Sequence, residues 1–395
     1  MRPPAPLTEP IGSFIQSWAR PACALSLKWV FAVVIATPIL SGDARAAEQK
    51  GLLETMKRHS IITSTVPANG DQNPYAIVVA PVSAGKIQQG DVLVDNFNDR
   101  NNLQGLGTTI VDYNPTTKKL SLFAAIPRNL PQCPGGVGLT TAMTMLKTGW
   151  VIVGSLPSRD GTTKTKGQGC LIILDVQGNV SGTLTGPNIN GPWGNMAVID
   201  NGTTATLFVS NTGFDVGPPD DEPPVVNKAT VLRIELSIPE GKLPTVTKET
   251  MIASGFGERA DKDVFIIGPT GLALGNDGVL YVSDALGNRI AAIPNAATRA
   301  DSAGTGREVT KDGLLKRPLA MIMAPNGHLL VTNGLNGQVV EIDPQSGTQI
   351  YARWVDANKA QSPPGSGDLF GIAMAPTGDS FYYVEDEVNM LVLAH

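Results

Sequence analysis

The sequence contains few of the groups on which enzymes most often rely. It has three histidines and three cysteines in 395 residues, and charged residues make up only 16% of the chain, against roughly 25% in average proteins. No lysine- or arginine-rich run is present, and the formal net charge is −5. The chain therefore lacks the basic patch by which proteins bind nucleic acids, and we expect no nucleic-acid partner.

The sequence also lacks a run of about 20 apolar residues, the length that a membrane-spanning helix needs. Its apolar N-terminal run, residues 29–40, is shorter, follows Lys28, and precedes the small-residue pattern of residues 44–46. These features predict a bacterial signal peptide, residues 1–46, and a mature domain over residues 47–395. We expect a periplasmic or secreted protein with no membrane span after cleavage; an uncleaved N-terminal anchor is the alternative.

Glycine and proline, by contrast, are abundant, with 43 and 30 residues spread along the chain. This distribution predicts many turns. Residues 268–284 read GPTGLALGNDGVLYVSD, which is a short apolar strand, a polar turn and a second apolar strand. Asp-Gly between two apolar runs is a strong hairpin signal.

The same hairpin pattern occurs six times, and a third apolar strand follows each copy. A repeat of roughly 50 residues with three or four strands is typical of a β-propeller. We therefore predict an all-β, six-bladed β-propeller. The copies begin near Pro74, Thr140, Pro192, Pro269, Pro318 and Leu369, and their third strands are predicted at 109–113, 171–176, 231–236, 289–293, 338–342 and 389–393.

The last unit ends the chain after its third strand, so its outer strand must come from elsewhere. Residues 60–66 read SIITSTV, an alternating and β-branched segment near the mature N-terminus. We predict that this strand pairs with residues 389–393 and closes the ring, which removes an exposed sheet edge.

The hairpins resemble NHL-repeat propellers and, more loosely, the gluconolactonase and strictosidine-synthase-like propellers. The residues that carry the resemblance are 268–273 and 277–284, together with the turns 325–327 and 376–378. The resemblance covers about residues 60–395. It implies the six-bladed fold, which hosts both binding proteins and enzymes.

In a propeller, the start of strand one and the end of strand two lie on the same face, around the central channel. Aromatic and neutral residues at the strand-one starts, within a ring of amides and carboxylates, are typical of a small-ligand site. The alternative is that the polar residues satisfy turn backbone. The predicted ligand-binding residues are Tyr75, Asn96, Trp193, Asn211, Thr270, Asp284, Asn333, Phe370 and Glu385.

The gluconolactonase resemblance implies a divalent metal held by carboxylate and asparagine side chains from the strand-one starts. Here these starts include no Asp, Glu or Asn, and a hard cation needs several oxygen ligands. We therefore predict no metal; a calcium site is the weaker alternative. Its candidate ligands are Asp284, Glu385, Asn211 and Asn333.

Histidine chemistry is not expected at this face. His59 lies near the mature N-terminus, His395 is the last residue, and His328 opens a second strand at the opposite end of the propeller. A Ser-His-Asp triad would need a histidine at the rim, so no catalytic residue is assigned.

Two polar segments are predicted as loops on the ligand face. Residues 95–102 are rich in oxygen ligands but do not fit the spacing of an EF-hand. Residues 217–224, with four prolines and three acids, predict an extended, solvated loop or lid.

A disulfide between Cys133 and Cys170 is predicted within the second unit. Cys133 lies in the loop that enters this unit on the ligand face, and Cys170 opens its third strand after a loop on the same face. Export would place both in an oxidising compartment. Two separate buried thiols are the alternative.

The functional expectation is a monomeric binding or scaffold propeller. Its partner would be a small molecule, a peptide or a protein held at the channel mouth. The alternative is a metal-assisted, lactonase-like hydrolase. A quinone-dependent dehydrogenase ranks below both, because the sequence has no C-x-x-C-H motif.

Overall fold

The chain is a six-bladed β-propeller, as the repeat predicts. The computed structural model describes residues 51–221 and 223–395, which fold into six separate antiparallel sheets, five of four strands and one of five. Within these two ranges no helix has the length and apolar character to cross a bilayer. The predicted signal segment, residues 1–46, lies outside the described residues.

The first three blades follow in chain order. Their strands are β2 (Gln72–Val79), β3 (Val92–Asn98), β4 (Thr109–Asn114) and β5 (Lys119–Ala125); β6 (Leu139–Met145), β7 (Val151–Ser155), β8 (Cys170–Leu174) and β9 (Val180–Leu184); and β10 (Ala197–Asp200), β11 (Thr204–Asn211), β12 (Val226–Ser237), β13 (Thr245–Asp261) and β14 (Phe265–Ile267). A short 3-10 helix, Thr163–Thr165, precedes β8.

The last three blades repeat the four-stranded pattern. Their strands are β15 (Pro269–Leu274), β16 (Leu280–Asp284), β17 (Arg289–Ile293) and β18 (Arg307–Lys311); β19 (Pro318–Met323), β20 (Leu329–Asn333), β21 (Gln338–Ile342) and β22 (Gln349–Trp354); and β23 (Leu369–Met374), β24 (Phe381–Glu385), β25 (Met390–Ala394) and β1 (His59–Ser64). One short helix, α1 (Leu52–Thr55), precedes β1.

Strand β1 is the outer strand of the sixth blade. It runs antiparallel to β25, with His59 opposite Ala394 and Ile61 opposite Val392. The first strand of the described residues therefore shares a sheet with the last one.

A buried carboxylate holds the segment that leads into β1. Glu341 is fully buried on β21, and its two oxygens accept the backbone N–H groups of Leu52 and Leu53 at 2.9 and 2.8 Å. Asn326 and His328 also contact this carboxylate, at 2.9 and 2.8 Å. Burial raises the pKa of Glu341, but these hydrogen bonds outweigh it and hold the pKa below its usual value.

Hydroxyl groups near the end of strand two tie neighbouring blades together. In most blades the pairing of strands one and two is interrupted by a bulge at the start of strand one. A nearby hydroxyl donates to a strand-one carbonyl of the next blade. These bonds join Ser210 to Thr270, Ser283 to Leu319, and Thr332 to Phe370.

Asp95 takes the corresponding position in the first blade. Its Oδ1 accepts the N–H of Ala76 at 2.7 Å, whereas its Oδ2 is buried without a partner. Burial raises the pKa of Asp95 to about 8. The group is therefore protonated at neutral pH and able to act as a donor, like the hydroxyls of the other blades.

Cys133 and Cys170 form a disulfide in the second blade, with their Cα atoms 5.5 Å apart. Both residues are buried. The bond joins the lead-in to β6 to the start of β8, and so ties together two loops on one face of the blade.

We predict that removing the Cys133–Cys170 bond lowers stability without changing the fold. The chain-entropy model gives a loss of about 4 kcal/mol for a loop of this length. Urea unfolding of a Cys133→Ser/Cys170→Ser double variant should show this loss, and thiol titration of the denatured, unreduced mature protein should find no free thiol. Two free thiols per chain would contradict the bond.

We predict that β1 is required for folding. A chain that begins at residue 67 leaves the edge of β25 unpaired and should aggregate or fail to fold. A chain that begins at Gly51, which keeps α1 and β1, is the matched control and should melt like the mature protein. Equal melting temperatures for the two truncated chains would contradict the closure of the ring by β1.

We predict that Asp95 makes stability fall as pH rises. The folded state holds this proton up to about pH 8, whereas the unfolded chain releases it near pH 4. The stabilisation that protonated Asp95 gives the folded state is therefore complete below pH 4 and is lost as the pH rises to about 8. In urea unfolding, the free energy of unfolding of the wild-type protein should fall by on the order of a few kcal/mol between pH 5 and pH 9. The variant Asp95→Asn should not show this fall. The exposed Asp277→Asn is the control; an unchanged slope in Asp95→Asn would contradict the assignment.

Candidate functional site

The six strand-one starts converge on one end of the central channel. They line a single internal cavity of about 10 Å³, which is space for about one water molecule. The cavity also contacts residues of a hairpin described below, and Arg317. The strand-one starts that line it are Tyr75, Thr141, Trp193, Thr270, Leu319 and Phe370.

Aromatic rings fill this mouth of the channel. Tyr75 lies between Phe97 and Phe370 in two stacked contacts, with ring centroids 4.5 and 4.0 Å apart. Trp193 meets Tyr75 edge to face at 5.9 Å and stacks on Phe265 at 6.2 Å. The mouth is therefore a packed aromatic cluster in this structure, and a ligand would have to displace part of it.

A hairpin from the third blade covers the mouth. Strand β13 continues past its blade and turns back into β14, with Arg259 opposite Ile267 and Asp261 opposite Phe265. We call residues 259–267 the mouth hairpin. Its tip is tied to the first blade, because Gln104 donates to the carbonyl of Asp263 at 3.0 Å.

Phe265 is the residue by which the hairpin enters the aromatic cluster. Its side chain is buried, and its backbone φ is +66°, a left-handed conformation that is strained for a bulky residue. This conformation turns the ring toward Trp193 and Phe97. Packing of the ring in the mouth therefore compensates for the backbone strain.

Arg317 places a positive charge at the edge of the cavity. Its side chain is only 14% exposed, and its nearest anion is Asp261 of the mouth hairpin, at 3.6 Å. Burial lowers the pKa of Arg317, while Asp261 partly offsets this effect. Within residues 51–221 and 223–395 no hydrogen bond reaches the guanidinium, and its buried Nε has no partner.

Ionisable groups surround the hydroxyl of Tyr75. Burial raises the pKa of Tyr75 well above its ordinary value, and Asp386 raises it further, whereas Arg317 acts in the opposite direction. The pKa of Asp386 is itself raised strongly by burial and by Asp368, although Asn73 donates to it at 3.1 Å. At neutral pH Tyr75 therefore keeps its proton.

Further carboxyl groups of the sixth blade have pKa values near neutrality. Burial and an interaction with Asp356 raise the pKa of Asp368 to about 7. Burial and the charge of Asp356 also raise the pKa of Glu385 to about 7. Such groups can exchange protons at physiological pH.

The other predicted polar residues bond mainly to turn backbone. Asn211 accepts the N–H groups of Asn190 and Gly191, and Asn333 accepts the N–H of Lys316 and donates to the carbonyl of Leu314.

Asn96 and Asp284 are likewise held by protein groups. Asn96 donates to the carbonyl of Thr65, and Asp284 forms an ion pair with Arg289 at 2.8 Å. The structure thus brings the aromatic starts together but does not direct these polar side chains into a shared cavity. Their role in ligand binding remains a prediction.

The polar segment 95–102 is only partly a loop. Strand β3 extends to Asn98, so its first four residues are buried within a strand. Asp99 follows and pairs with Arg128 at 3.3 Å. The prediction of a loop from Asp95 onward was therefore wrong at its start, because the aromatic mouth buries Phe97 and extends the strand.

The opposite end of the channel is open. A cavity of about 390 Å³ is lined there by the second halves of all six first strands. Asn195 separates it from the aromatic mouth, since its amide donates to the carbonyls of Leu272 and Met321 at 2.9 Å each. Gly194 allows this crossing, because a Cβ at this position would lie 1.4 Å from the carbonyl oxygen of Thr270.

Neither end holds a recognisable metal site. Among the residues that the structure describes, no three His, Cys, Asp or Glu side chains stand close enough to bind a metal ion together.

Several solved structures are similar to this chain. A gluconolactonase from Xanthomonas campestris superposes with a TM-score of 0.50 at 13% identity, covering 85% of this chain and 88% of that one. The PQQ-bound aldose sugar dehydrogenase of Streptomyces coelicolor gives 0.49 at 15% identity, over 85% and 98%. Virginiamycin B lyase from Staphylococcus aureus gives 0.46 at 15% identity, over 85% and 84%. The similarity to the gluconolactonase supports the propeller fold.

Sequence similarity is weaker. No protein-family model matches the chain. A chloroplastic protein of Arabidopsis thaliana, SUPPRESSOR OF QUENCHING 1, is 24% identical over 177 residues, which cover 41% of this chain and 17% of that protein. The match thus spans less than a fifth of the relative's length.

Sequence reasoning missed the mouth hairpin and Arg317. The signal for the hairpin was the long third unit, whose apolar residues 264–267 directly precede the fourth repeat. Arg317 stands next to Pro318 at the start of the fifth unit, but nothing in the sequence distinguishes it from an ordinary surface residue.

Proposed function

We propose that the chain is a hydrolase or lyase that acts on a small organic molecule at the covered mouth of its channel. The observation that carries this proposal is the combination of groups around one cavity. A buried phenol, Tyr75, and a guanidinium without hydrogen bonds, Arg317, meet at an apolar mouth that a hairpin covers. Convergent polar groups in an apolar, water-excluding pocket are typical of an active site.

The roles follow from charge and protonation. Tyr75 keeps its proton at neutral pH and can donate it to a leaving or carbonyl oxygen. Arg317 can stabilise negative charge that develops on the substrate. Glu385 and Asp368, with pKa values of about 7, can accept a proton or supply one from the rim.

The similar solved structures include a gluconolactonase and a lyase, which favours this class of reaction over a scaffold. A metal-assisted mechanism has less support, because the strand-one starts offer no carboxylates. A binding propeller without catalysis is the second candidate. It is supported by the dense aromatic packing of the mouth, which suits recognition of an apolar group.

We propose that the protein works as a monomer in the periplasm or outside the cell. The disulfide between Cys133 and Cys170 supports this location, because such bonds persist in oxidising compartments.

We predict that Tyr75→Phe lowers kcat/KM for hydrolysis of a panel of lactones and aryl esters about 100-fold, since one proton donor is lost. The fold should be retained, because only the hydroxyl is removed. The measurement is turnover by chelator-treated protein, with and without added calcium. Tyr281→Phe is the matched control, since Tyr281 is also buried but lies at the other end of the propeller.

The outcomes separate the candidates. Turnover that calcium does not change and Tyr75→Phe reduces supports metal-independent catalysis at the mouth. Turnover that requires calcium contradicts it in favour of a metal-assisted hydrolase. If no substrate of the panel turns over while aromatic probes still bind, the binding propeller is favoured.

A further inference from the structure

The mouth hairpin occupies the positions of a ligand. It supplies a carboxylate, Asp261, to the cation at the mouth, and an aromatic ring, Phe265, to the stacked wall of Trp193. These two residues lie opposite each other in the hairpin, so they present an anion and a ring together. The cavity that remains beside them holds about one water molecule.

The carboxylate is only loosely held by its cation. One oxygen of Asp261, Oδ1, accepts the N–H groups of Asp263 and Val264 at 2.9 and 3.1 Å and so caps the turn. The other, Oδ2, is 3.6 Å from Nη1 of Arg317, which is beyond good hydrogen-bond distance. Asp261 therefore neutralises Arg317 without satisfying its donors.

Another buried arginine of the chain shows what a structural role requires. Arg233 is 2% exposed and donates to the carbonyls of Ala296 and Arg299, to Thr250 and to Glu235. Arg317 is 14% exposed, and within the described ranges its side chain donates to no protein group. Its buried Nε–H has no partner, which is costly unless a ligand completes it.

Resting on the proposed function, we propose that the site binds a monocarboxylate that carries an aromatic or similarly flat apolar group. The carboxylate pairs with Arg317 in the bidentate geometry that a guanidinium favours. The apolar group takes the place of Phe265 against Trp193 and Phe97. The mouth hairpin is then an internal competitor, which leaves the mouth when the ligand enters.

The surrounding charges favour a single carboxylate over a phosphate. Asp261 and Asp263 of the hairpin lie near Arg317. A dianion would meet repulsion from these groups that one guanidinium cannot offset.

The test uses 3-phenylpropionate and its neutral amide, 3-phenylpropionamide, titrated into the full mature protein by calorimetry. The wild-type protein should bind the acid at least about tenfold more tightly than the amide. Arg317→Gln should remove this difference, and Arg317→Lys should restore part of it. The melting temperature of each variant is measured as well, so that a loss of binding is distinguished from a loss of fold.

The hairpin variants test the competition. Asp261→Asn keeps the turn-capping oxygen but removes the competing charge, so it should tighten binding of the acid several-fold and leave the amide unchanged. Asp263→Asn makes the same charge change at the exposed tip and should change either affinity less than twofold. Phe265→Ala should tighten both probes, since it vacates the aromatic wall.

Each result decides one point. Equal binding of acid and amide in wild type and in Asp261→Asn overturns the carboxylate inference but leaves the proposed enzyme intact, since its own test is turnover by Tyr75→Phe. Failure of both probes to bind Phe265→Ala overturns the aromatic part as well. Acid-specific binding that survives Arg317→Gln also contradicts the inference, because it assigns the carboxylate to another cation.

Discussion

A four-stranded sheet with apolar residues on both faces cannot be stable alone, and the whole architecture follows from this constraint. Each blade buries its faces against two neighbours, as where Leu93 of the first blade shares a cluster with Val153 of the second. The same holds for Tyr281 and Val331 of the fourth and fifth blades. Six blades satisfy the constraint only as a closed ring, and a ring encloses a channel that must be filled or left open.

The two ends of this channel differ in how their space is filled. At one end, aromatic residues from three blades and the mouth hairpin fill the space, whereas at the other the first strands leave an open cavity. Asn195 divides the two by bonding to neighbouring blades.

The repeat was readable because it depends on local signals: Asp-Gly or Asn-Gly turns between apolar runs fix the hairpins wherever they occur. The strand-one starts could be placed for the same reason, since each has the same position in its repeat. The mouth hairpin could not be predicted from the sequence, because Phe265 and Asp261 contact residues of other blades that are distant in sequence. The side-chain directions of Asn211 and Asn333 could not be predicted either, since local turns determine whether an amide bonds to backbone or faces the channel.

Among the described residues, buried polar atoms without a hydrogen-bond partner are absent from one blade but present near Tyr75. Between residues 260 and 316, which include the whole fourth blade, the described residues hold no buried side-chain nitrogen or oxygen without a partner. Around Tyr75, by contrast, Oδ2 of Asp95, Oδ1 of Asn73 and Nε of Arg317 all lack one. Burying a polar atom without a partner costs about 1–3 kcal/mol, so a plain structural blade has no reason to keep several. Two of these atoms belong to the first blade and one to the start of the fifth, so groups from separate blades lack partners near Tyr75, where the fold could recover this cost by binding.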